Sequence, residues 1–477
     1  MNLNYKPADG WAADFIPFYW NGEYHLFYLK DYRDRAAQGE GTPWFHLVTR
    51  DFVDFTDLGE CLERGEADAQ DLYVFTGSAI HGEGQFHIFY TGHNPHFPAQ
   101  GLPKQAIMHA TSNDLIHWTK VPADTFFAPL EMFEQNDWRD PFVFWNAAAG
   151  EYWMLTAARL KHGPSRRRGC TALCISRDLR AWEVKGPYYT PDLYYTHECP
   201  DLFRMGDWWY LLFSEFSESY VTRYRMARSL QGPWLTPLLD TFDGRAFYAA
   251  KTASDGACRF LFGWNPTRRD SKDSQPWEWG GNLVVHEVAQ EPDGTLSVRI
   301  PDTVAASFSA RERVTFADAI GKYSPDDGKV ILEARDSFAC VSAGRLPDFC
   351  MLDVTLRFAP DTHGCGVMLR SSSDFETGYY VRLEPVRSRL VFDSWPRPGD
   401  LPHMVELERS LELVPDTPVR LNVYVNGSVC EVYVNETVAM SARMYDHHEA
   451  EWGLFVSQGS AEFSDISLAR PGTQEAR

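Results

Sequence analysis

Apolar residues recur along the first 299 positions in short alternating runs, each opened by a glycine turn. The runs are Gly22-Glu-Tyr-His-Leu-Phe-Tyr28, Gly84-Gln-Phe-His-Ile-Phe-Tyr90, Gly150-Glu-Tyr-Trp-Met-Leu-Thr156, Gly206-Asp-Trp-Trp-Tyr-Leu-Leu-Phe213 and the weaker Gly256-Ala-Cys-Arg-Phe-Leu-Phe262. Each follows another short apolar segment, such as Phe15 to Trp20 or Phe142 to Trp145, so each pair reads as a hairpin. A second pattern lies between the copies: Thr49-Arg-Asp-Phe-Val-Asp-Phe55, Thr111-Ser-Asn-Asp-Leu-Ile-His-Trp118, Ser176-Arg-Asp-Leu-Arg-Ala-Trp182 and the shorter Ser229-Leu-Gln-Gly-Pro-Trp234. It reads as a strand end, a polar turn and an aromatic on an outer strand. Five copies of a four-stranded unit, 50 to 66 residues apart, predict an all-β fold that begins with a five-bladed β-propeller over residues 1–299.

After Pro301 the texture changes. An Ala-rich, charged stretch, residues 300–325, reads as a connector. Alternating strands follow: Lys329 to Ala334, Cys350 to Phe358, Gly366 to Arg370, Gly378 to Glu384, Leu390 to Trp395, Val419 to Val425, Val429 to Val434 and Glu451 to Val456. Asn426-Gly427 is a tight hairpin turn between two of them. Eight short strands with turn signals predict a β-sandwich over residues 326–477.

Composition narrows the function. The 477 residues carry a formal net charge of −21, which disfavours nucleic-acid and membrane-surface partners. No apolar run approaches the ~18 residues of a membrane span. The N-terminus lacks a basic segment followed by an apolar one. Nine scattered cysteines form no CxxC pair, so no metal or other cofactor is expected, and free thiols in a reducing cytoplasm are. The oligomeric state is not legible. Arg166-Arg167-Arg168 reads as a solvated loop, with a grip for a phosphorylated sugar as its sharper alternative.

In a propeller the innermost strands line a central channel. Their starts align here as Asp14-Phe-Ile-Pro, Phe75-Thr-Gly-Ser78, Trp138-Arg139-Asp140-Pro141 and Glu198-Cys199-Pro200-Asp201. Three of five thus begin with a carboxylate among aromatics, a costly placement unless it is paired or functional. An ion pair between Arg139 and Asp140 is the structural reading. Converging acids beside sugar-stacking aromatics are the functional one, and they describe a glycosidase.

These segments, in this order and spacing, resemble glycoside hydrolase family 32, the β-fructofuranosidases. Trp138-Arg139-Asp140-Pro141 is similar to the family's Arg-Asp-Pro motif, and Glu198-Cys199 to its Glu-Cys motif. Trp44-Phe45-His46, Phe75-Thr-Gly-Ser78, Phe247-Tyr248-Ala249 and Phe262-Gly263-Trp264 resemble further segments. The resemblance implies a five-bladed propeller with a C-terminal sandwich and retaining hydrolysis of a small oligosaccharide or glycoside. It implies Asp14 as nucleophile, Glu198 as general acid and base, and Asp140 with Arg139 on the sugar hydroxyls. Trp11, Trp44, Ser78, Tyr248, Trp264 and Trp279 are candidates for the pocket wall, each tryptophan equally readable as core.

The sequence also departs from the family pattern. Ala13 precedes Asp14 where the family has Asn, Phe15-Ile-Pro follows where it has Pro-Asn-Gly, Leu29 replaces a Gln, and Val285-His-Glu-Val288 replaces Pro-Arg-Glu-Leu. Lost hydroxyl partners can change which sugar is accepted. Two alternatives therefore stay open: an inverting arabinofuranosidase or xylosidase resembling family 43, and a sugar-binding protein without turnover.

Overall fold

The computed structural model describes residues 3–326, 328–399, 404–448 and 451–472. The chain folds as two compact units. The first gathers residues up to Thr241 with Phe247–Pro266 and Trp279–Thr295, and the second gathers Phe242–Ala246, Thr267–Glu278 and the chain from Leu296 onward.

The first unit is the five-bladed propeller. Its first blade is Trp11–Trp20, Glu23–Asp31, Trp44–Thr49 and Thr56–Leu62, and its second is Tyr73–Gly82, Gln85–His93, Gln105–Ser112 and Thr119–Lys120. The third is Phe133–Asn146, Glu151–Leu160, Gly169–Ser176 and Glu183–Tyr189. The fourth has three full strands, Glu198–Met205, Trp208–Glu215 and Val221–Ala227, and its outer edge shrinks to bridges from Met226 to Leu235 and from Arg223 to Thr241. The fifth is Tyr248–Ser254, Arg259–Arg268 and Trp277–Gln290. The last of these pairs with the first strand of the chain through Ala12 and Gly281, which closes the ring. A Cβ at Gly281 would stand 1.8 Å from the Asn265 carbonyl oxygen, so only glycine fits that junction.

Both recurrent sequence patterns have a packing cause. The second strands of the blades are buried on both faces, as in Glu23–Asp31 and Gln85–His93, because each blade packs between two others. Wedges of apolar side chains fill the gaps. One holds Phe27, Trp44, Ile88 and Tyr90, a second Phe89, Trp138, Met154 and Cys174, and a third Leu155, Leu202, Leu211 and Phe213. The interleaved pattern is a turn in which a hydroxyl accepts from the backbone N–H three residues on. Thr49 serves Phe52, Ser112 serves Leu115 and Ser176 serves Leu179. Phe52, Leu115 and Leu179 all take positive φ and are buried, so the turn drives an apolar plug back into the blade.

The second unit is the sandwich. Its strand order runs Leu407–Ser410, Arg389–Trp395, Gly378–Glu384, Gly364–Ser371, Glu451–Arg470, Phe349–Phe358, Val419–Asn426, Val429–Val434 and Val438–Arg443. Glu451–Arg470 joins two sets of partners: its first half pairs with Gly364–Ser371 and its second with Phe349–Phe358. The switch falls at Gln458 and Gly459, both at positive φ, where a Cβ on Gly459 would approach Thr362 to 2.4 Å. The stretch expected as a connector is different. It contains the short helix Asp302–Ser307 and three strands, of which Ala310–Glu312 pairs with Glu451–Arg470, and Ala317–Ile320 and Lys322–Asp326 with Lys329–Arg345. Strands of three to five residues are too short for alternation to reveal them. Among the described residues no helix is long and apolar enough to cross a membrane.

Several buried histidines are kept neutral by the fold. His25 Nδ1 meets His46 Nε2 at 3.0 Å in the first blade, and His87 Nδ1 meets His109 Nε2 at 2.9 Å at the matching place in the second. Burial, with the neighbouring His25 imidazole, pushes His46 down to about 3. A base with a depressed folded pKa leaves stability intact above its unfolded value of ~6.5, and stability is lost as pH falls below that value toward the folded one. The stability advantage of the wild type over His46→Gln is therefore expected to shrink by about 2 kcal/mol between pH 7.5 and pH 4.5. Denaturant melts at the two pH values check this, and a pH-independent difference contradicts it.

Candidate active site

The register of every inner strand slips at one matching level of its blade, and the third slips a second time, between Phe133 and Trp138. The slips fall between Ala13 and Ile16, Phe75 and Gly77, Arg139 and Phe142, Glu198 and Asp201, and Tyr248 and Lys251. An extra residue in one strand bends it and re-aims its side chains. Asp14, Asp140, Cys199 and Ala249 carry the bend at φ of 44, 59, 49 and 53°. In the second blade the slip passes Gly77, where a Cβ would stand 1.8 Å from the Phe89 carbonyl oxygen.

The three carboxylates do not share one repeat position. Asp14 and Asp140 occupy the left-handed residue itself, and Glu198 precedes its own, Cys199. Arg139 and Tyr248 occupy the position of Glu198 in their blades, so one ring of the channel alternates with another. All three acids line a single cavity of about 780 Å³, together with Arg139, Asp137, Phe75, Tyr195, Tyr220, Tyr248 and Trp279.

Arg139 is the hub. Its Nη2 donates to Glu198 Oε1 at 3.0 Å and to Thr196 Oγ1 at 3.2 Å, its Nη1 donates to Asp137 Oδ1 at 2.9 Å, and its Nε lies 3.8 Å from Asp140 Oδ2. Burial disfavours the cation, yet Glu198, Asp140 and Asp137 together hold it well above its ordinary value. Glu198 is fixed from its other side, where the Tyr248 hydroxyl donates to Oε2 at 2.6 Å. Tyr248 is itself stacked on Tyr220, with ring centroids 4.1 Å apart.

Asp140 is almost closed off from solvent and accepts the Cys199 N–H at 2.9 Å, while its own N–H donates to Thr91 Oγ1 at 2.7 Å. Burial raises its carboxyl to about 6 against the opposing charge of Arg139. Asp14 accepts the Trp264 indole N–H at 3.0 Å. Burial, then the Asp140 charge, push it up to about 7 against that hydrogen bond. Burial and neighbouring carboxylates thus hold Asp14 and Asp140 above the usual carboxylate range.

Two of the six expected wall residues, Tyr248 and Trp279, line the cavity. Trp264 stands behind Asp14 and edge-on to Tyr248 and Trp279. Trp44 is fully buried, and its indole N–H holds the Phe75 carbonyl at 3.2 Å. Ser78 accepts the Val143 N–H at 3.0 Å and ties the second blade to the third. Trp11 lies under the cations of Lys6 and Arg33 at 4.9 and 4.8 Å, next to the ring closure. Trp44, Ser78 and Trp11 therefore serve the scaffold rather than the wall.

Lys251 was not anticipated. It is buried, its ammonium donates to the Gly77 carbonyl, and its charge acts on Asp14, Asp140 and Asp201. Its signal was a single cation in the apolar inner strand Tyr248–Ser254, two residues past the recognised segment Phe247-Tyr248-Ala249. Tyr220 and Tyr195 come from loops and left no signal, and Asp137 lies on the inner strand Phe133–Asn146, two residues before Arg139. Among the described residues no group of three His, Cys, Asp or Glu is placed to hold a metal ion.

Comparison with known proteins places this geometry. Residues 5–291 match the N-terminal domain of glycosyl hydrolases family 32, and residues 332–470 match the C-terminal domain of the same family. A sucrose-6-phosphate hydrolase of Escherichia coli is 25% identical over 99% of this chain and 94% of its own length. One from Vibrio alginolyticus is 29% identical over 63% of this chain and 62% of its own length. Among solved structures, the sucrose-6-phosphate hydrolase of Lactobacillus gasseri superposes with a TM-score of 0.74 at 20% identity, covering 98% of this chain and 92% of that one. The fructan 1-exohydrolase IIa of Cichorium intybus does so with 0.74 at 16% identity, covering 98% and 96%. With both domains matched in order over most of its length, the chain belongs to glycosyl hydrolase family 32.

Proposed function

We propose that this glycoside hydrolase is a retaining β-fructofuranosidase of short substrates, acting in the cytoplasm. The observation that carries the reading is the convergence of Asp14, Asp140 and Glu198 from three blades into one cavity, with Arg139 between the last two. The named activities of the relatives support it: sucrose-6-phosphate hydrolase, raffinose invertase and a levanbiose-producing levanase. All nine cysteines are free thiols, which suits a reducing compartment.

In this reading Asp14 attacks the anomeric carbon of the fructosyl unit as the glycosidic bond breaks. Its Trp264 hydrogen bond holds the attacking carboxylate in place and favours its ionised form. Glu198 gives its proton to the departing oxygen, then takes one from the water that cleaves the fructosyl–Asp14 ester. Asp140, locked by the Cys199 N–H, accepts hydrogen bonds from sugar hydroxyls and offsets the oxocarbenium charge. Tyr248 and Arg139 orient Glu198 through both of its oxygens. Two inverting displacements, by Asp14 on the face opposite the leaving group and then by water on the face opposite Asp14, return the configuration of the starting bond.

Three outcomes follow from these roles. Asp14→Asn and Glu198→Gln are expected to lower kcat on sucrose-type substrates by at least about a thousandfold with an unchanged fold, as removal of core catalytic groups does. Steady-state rates with circular dichroism check this, and near-normal turnover in either variant contradicts it. Proton NMR of the first product is expected to show retained configuration; an inverted product moves the chain to the inverting alternative. Trp264→Phe deletes a hydrogen bond that favours ionised Asp14, so the acid limb of the pH profile of kcat/KM is expected to move to higher pH. A limb that stays in place or moves down removes Trp264 from that role.

A further inference from the structure

We propose that Arg159 is a positioning residue for the general acid: acting through Asp137 and Arg139, it fixes the carboxyl of Glu198 for proton transfer to the departing oxygen. The inference rests on the reading of Glu198 as that acid, and it adds a residue that lies outside the cavity lining.

The second slip of the third inner strand makes the arrangement. Phe133 pairs with Leu160 and Trp138 with Ala158, so residues 134–137 bulge opposite the single residue Arg159. Glu134 and Asp137, at the two ends of the bulge, both meet its guanidinium. Arg159 Nε donates to Glu134 Oε2 at 2.8 Å and lies 3.4 Å from Asp137 Oδ2. Its Nη1 donates to the Tyr195 carbonyl at 2.6 Å and its Nη2 to the Ser165 carbonyl at 2.8 Å. The guanidinium also lies 3.5 Å from the centroid of the Tyr195 ring. Only 1% of the side chain is exposed, a burial that a cation tolerates when carboxylates meet its charge and carbonyls its donors.

From this anchor the charges alternate in sign into the cavity: Arg168, Glu134, Arg159, Asp137, Arg139, Glu198. Asp137 is the link. One of its oxygens faces Arg159, and the other accepts from Arg139 Nη1 at 2.9 Å. Arg139 in turn donates through Nη2 to Glu198 Oε1. With Arg159 in place, Asp137 is held at both oxygens and the Arg139 fork keeps one orientation. Without it, Asp137 Oδ2 loses its cation, the whole of that carboxylate turns on Arg139, and Arg139 is drawn away from Glu198. A proton donor has to stand within about 0.5 Å of its productive place, so a shift of this anchor is felt in the acid step.

Of the triple-arginine run, Arg168 forms the outer end of this series, pairing with Glu134 at 2.6 Å and donating to the Leu160 and Lys161 carbonyls. Arg166 and Arg167 are exposed on the turn Ser165–Arg167 and do not line the cavity. That turn contributes a backbone group instead, the Ser165 carbonyl on Arg159.

The test is the dependence of rate on the leaving group. It compares kcat/KM on phenyl and p-nitrophenyl β-fructofuranosides, which share a ring and differ in how much the departing oxygen needs a proton. The ratio, nitrophenyl over phenyl, rises as acid catalysis is lost. Relative to the wild type it is expected to rise most in Glu198→Gln and about tenfold in Arg159→Met, a fraction of what a general acid contributes. Adding Arg159→Met to Glu198→Gln should leave the ratio where Glu198→Gln alone sets it, because Arg159 acts through that carboxyl. Asp137→Asn, close to isosteric, cuts the same link and should also raise the ratio, so it carries the test if Arg159→Met does not fold. An equal loss on both substrates marks a merely structural role. That result in the folded single variants, no loss in them, or a further rise of the ratio in the double variant overturns the proposal. A wild type that turns over neither fructoside, or a ratio that Glu198→Gln leaves unchanged, overturns the catalytic reading and the positioning role with it. A ratio that responds to Glu198→Gln but to neither Arg159→Met nor Asp137→Asn overturns the positioning role alone.

Discussion

One extra residue in each inner strand is the constraint on which the site depends. A regular strand directs alternate side chains toward the two neighbouring blades, where they are buried as core. The slip breaks that alternation at one level of the ring and turns Asp14 and Asp140 out of the blade interfaces into the channel. The price in backbone strain is about 1 kcal/mol or more for each non-glycine residue at positive φ. The surrounding wedges of buried aromatics, two-faced second strands and inter-blade ties such as Ser78 to Val143 keep those residues in place.

The second constraint is electrostatic. Carboxylates gathered in a poorly solvated channel resist ionisation, as the raised values of Asp14 and Asp140 show. Two cations offset this from within the ring. Arg139 binds the acids directly, and Lys251 acts from the floor, where its ammonium is anchored on the carbonyl of the one inner-strand bulge built on glycine. The acids therefore differ in their surroundings. Asp14 has a single indole donor, Asp140 a backbone donor in a nearly closed niche, and Glu198 two side-chain donors and more access to solvent. Similar groups in unequal environments are what allows one of them to attack while another moves a proton.

Much of this was legible in the sequence because the propeller repeats itself. Gly22, Gly84, Gly150 and Gly206 mark hairpins at corresponding points, and the starts of the inner strands could be aligned from them, which brought Asp14, Asp140 and Glu198 forward. The one-residue offset of Glu198 was hidden, since a bulge changes register without a composition signal of its own. The tryptophans were harder to sort. Trp44 and Trp279 sit in similar aromatic text, yet one supports Phe75 from behind and the other lines the cavity, and only the direction of each strand separates them. Lys251 was missed because it is a lone charge in an apolar strand. The strands Ala310–Glu312 and Ala317–Ile320 were too short to show a period.

The central claim is that Asp14 forms a covalent bond to the fructosyl unit. It is tested most directly by trapping that species in Glu198→Ala with β-fructofuranosyl fluoride, whose leaving group needs no acid, followed by mass spectrometry of the digested protein. The account predicts a mass gain of one fructosyl residue on the peptide that bears Asp14, absent when Asp14 is also changed to Asn. Release of fructose from the fluoride with no adduct, or an adduct on another carboxylate, contradicts it.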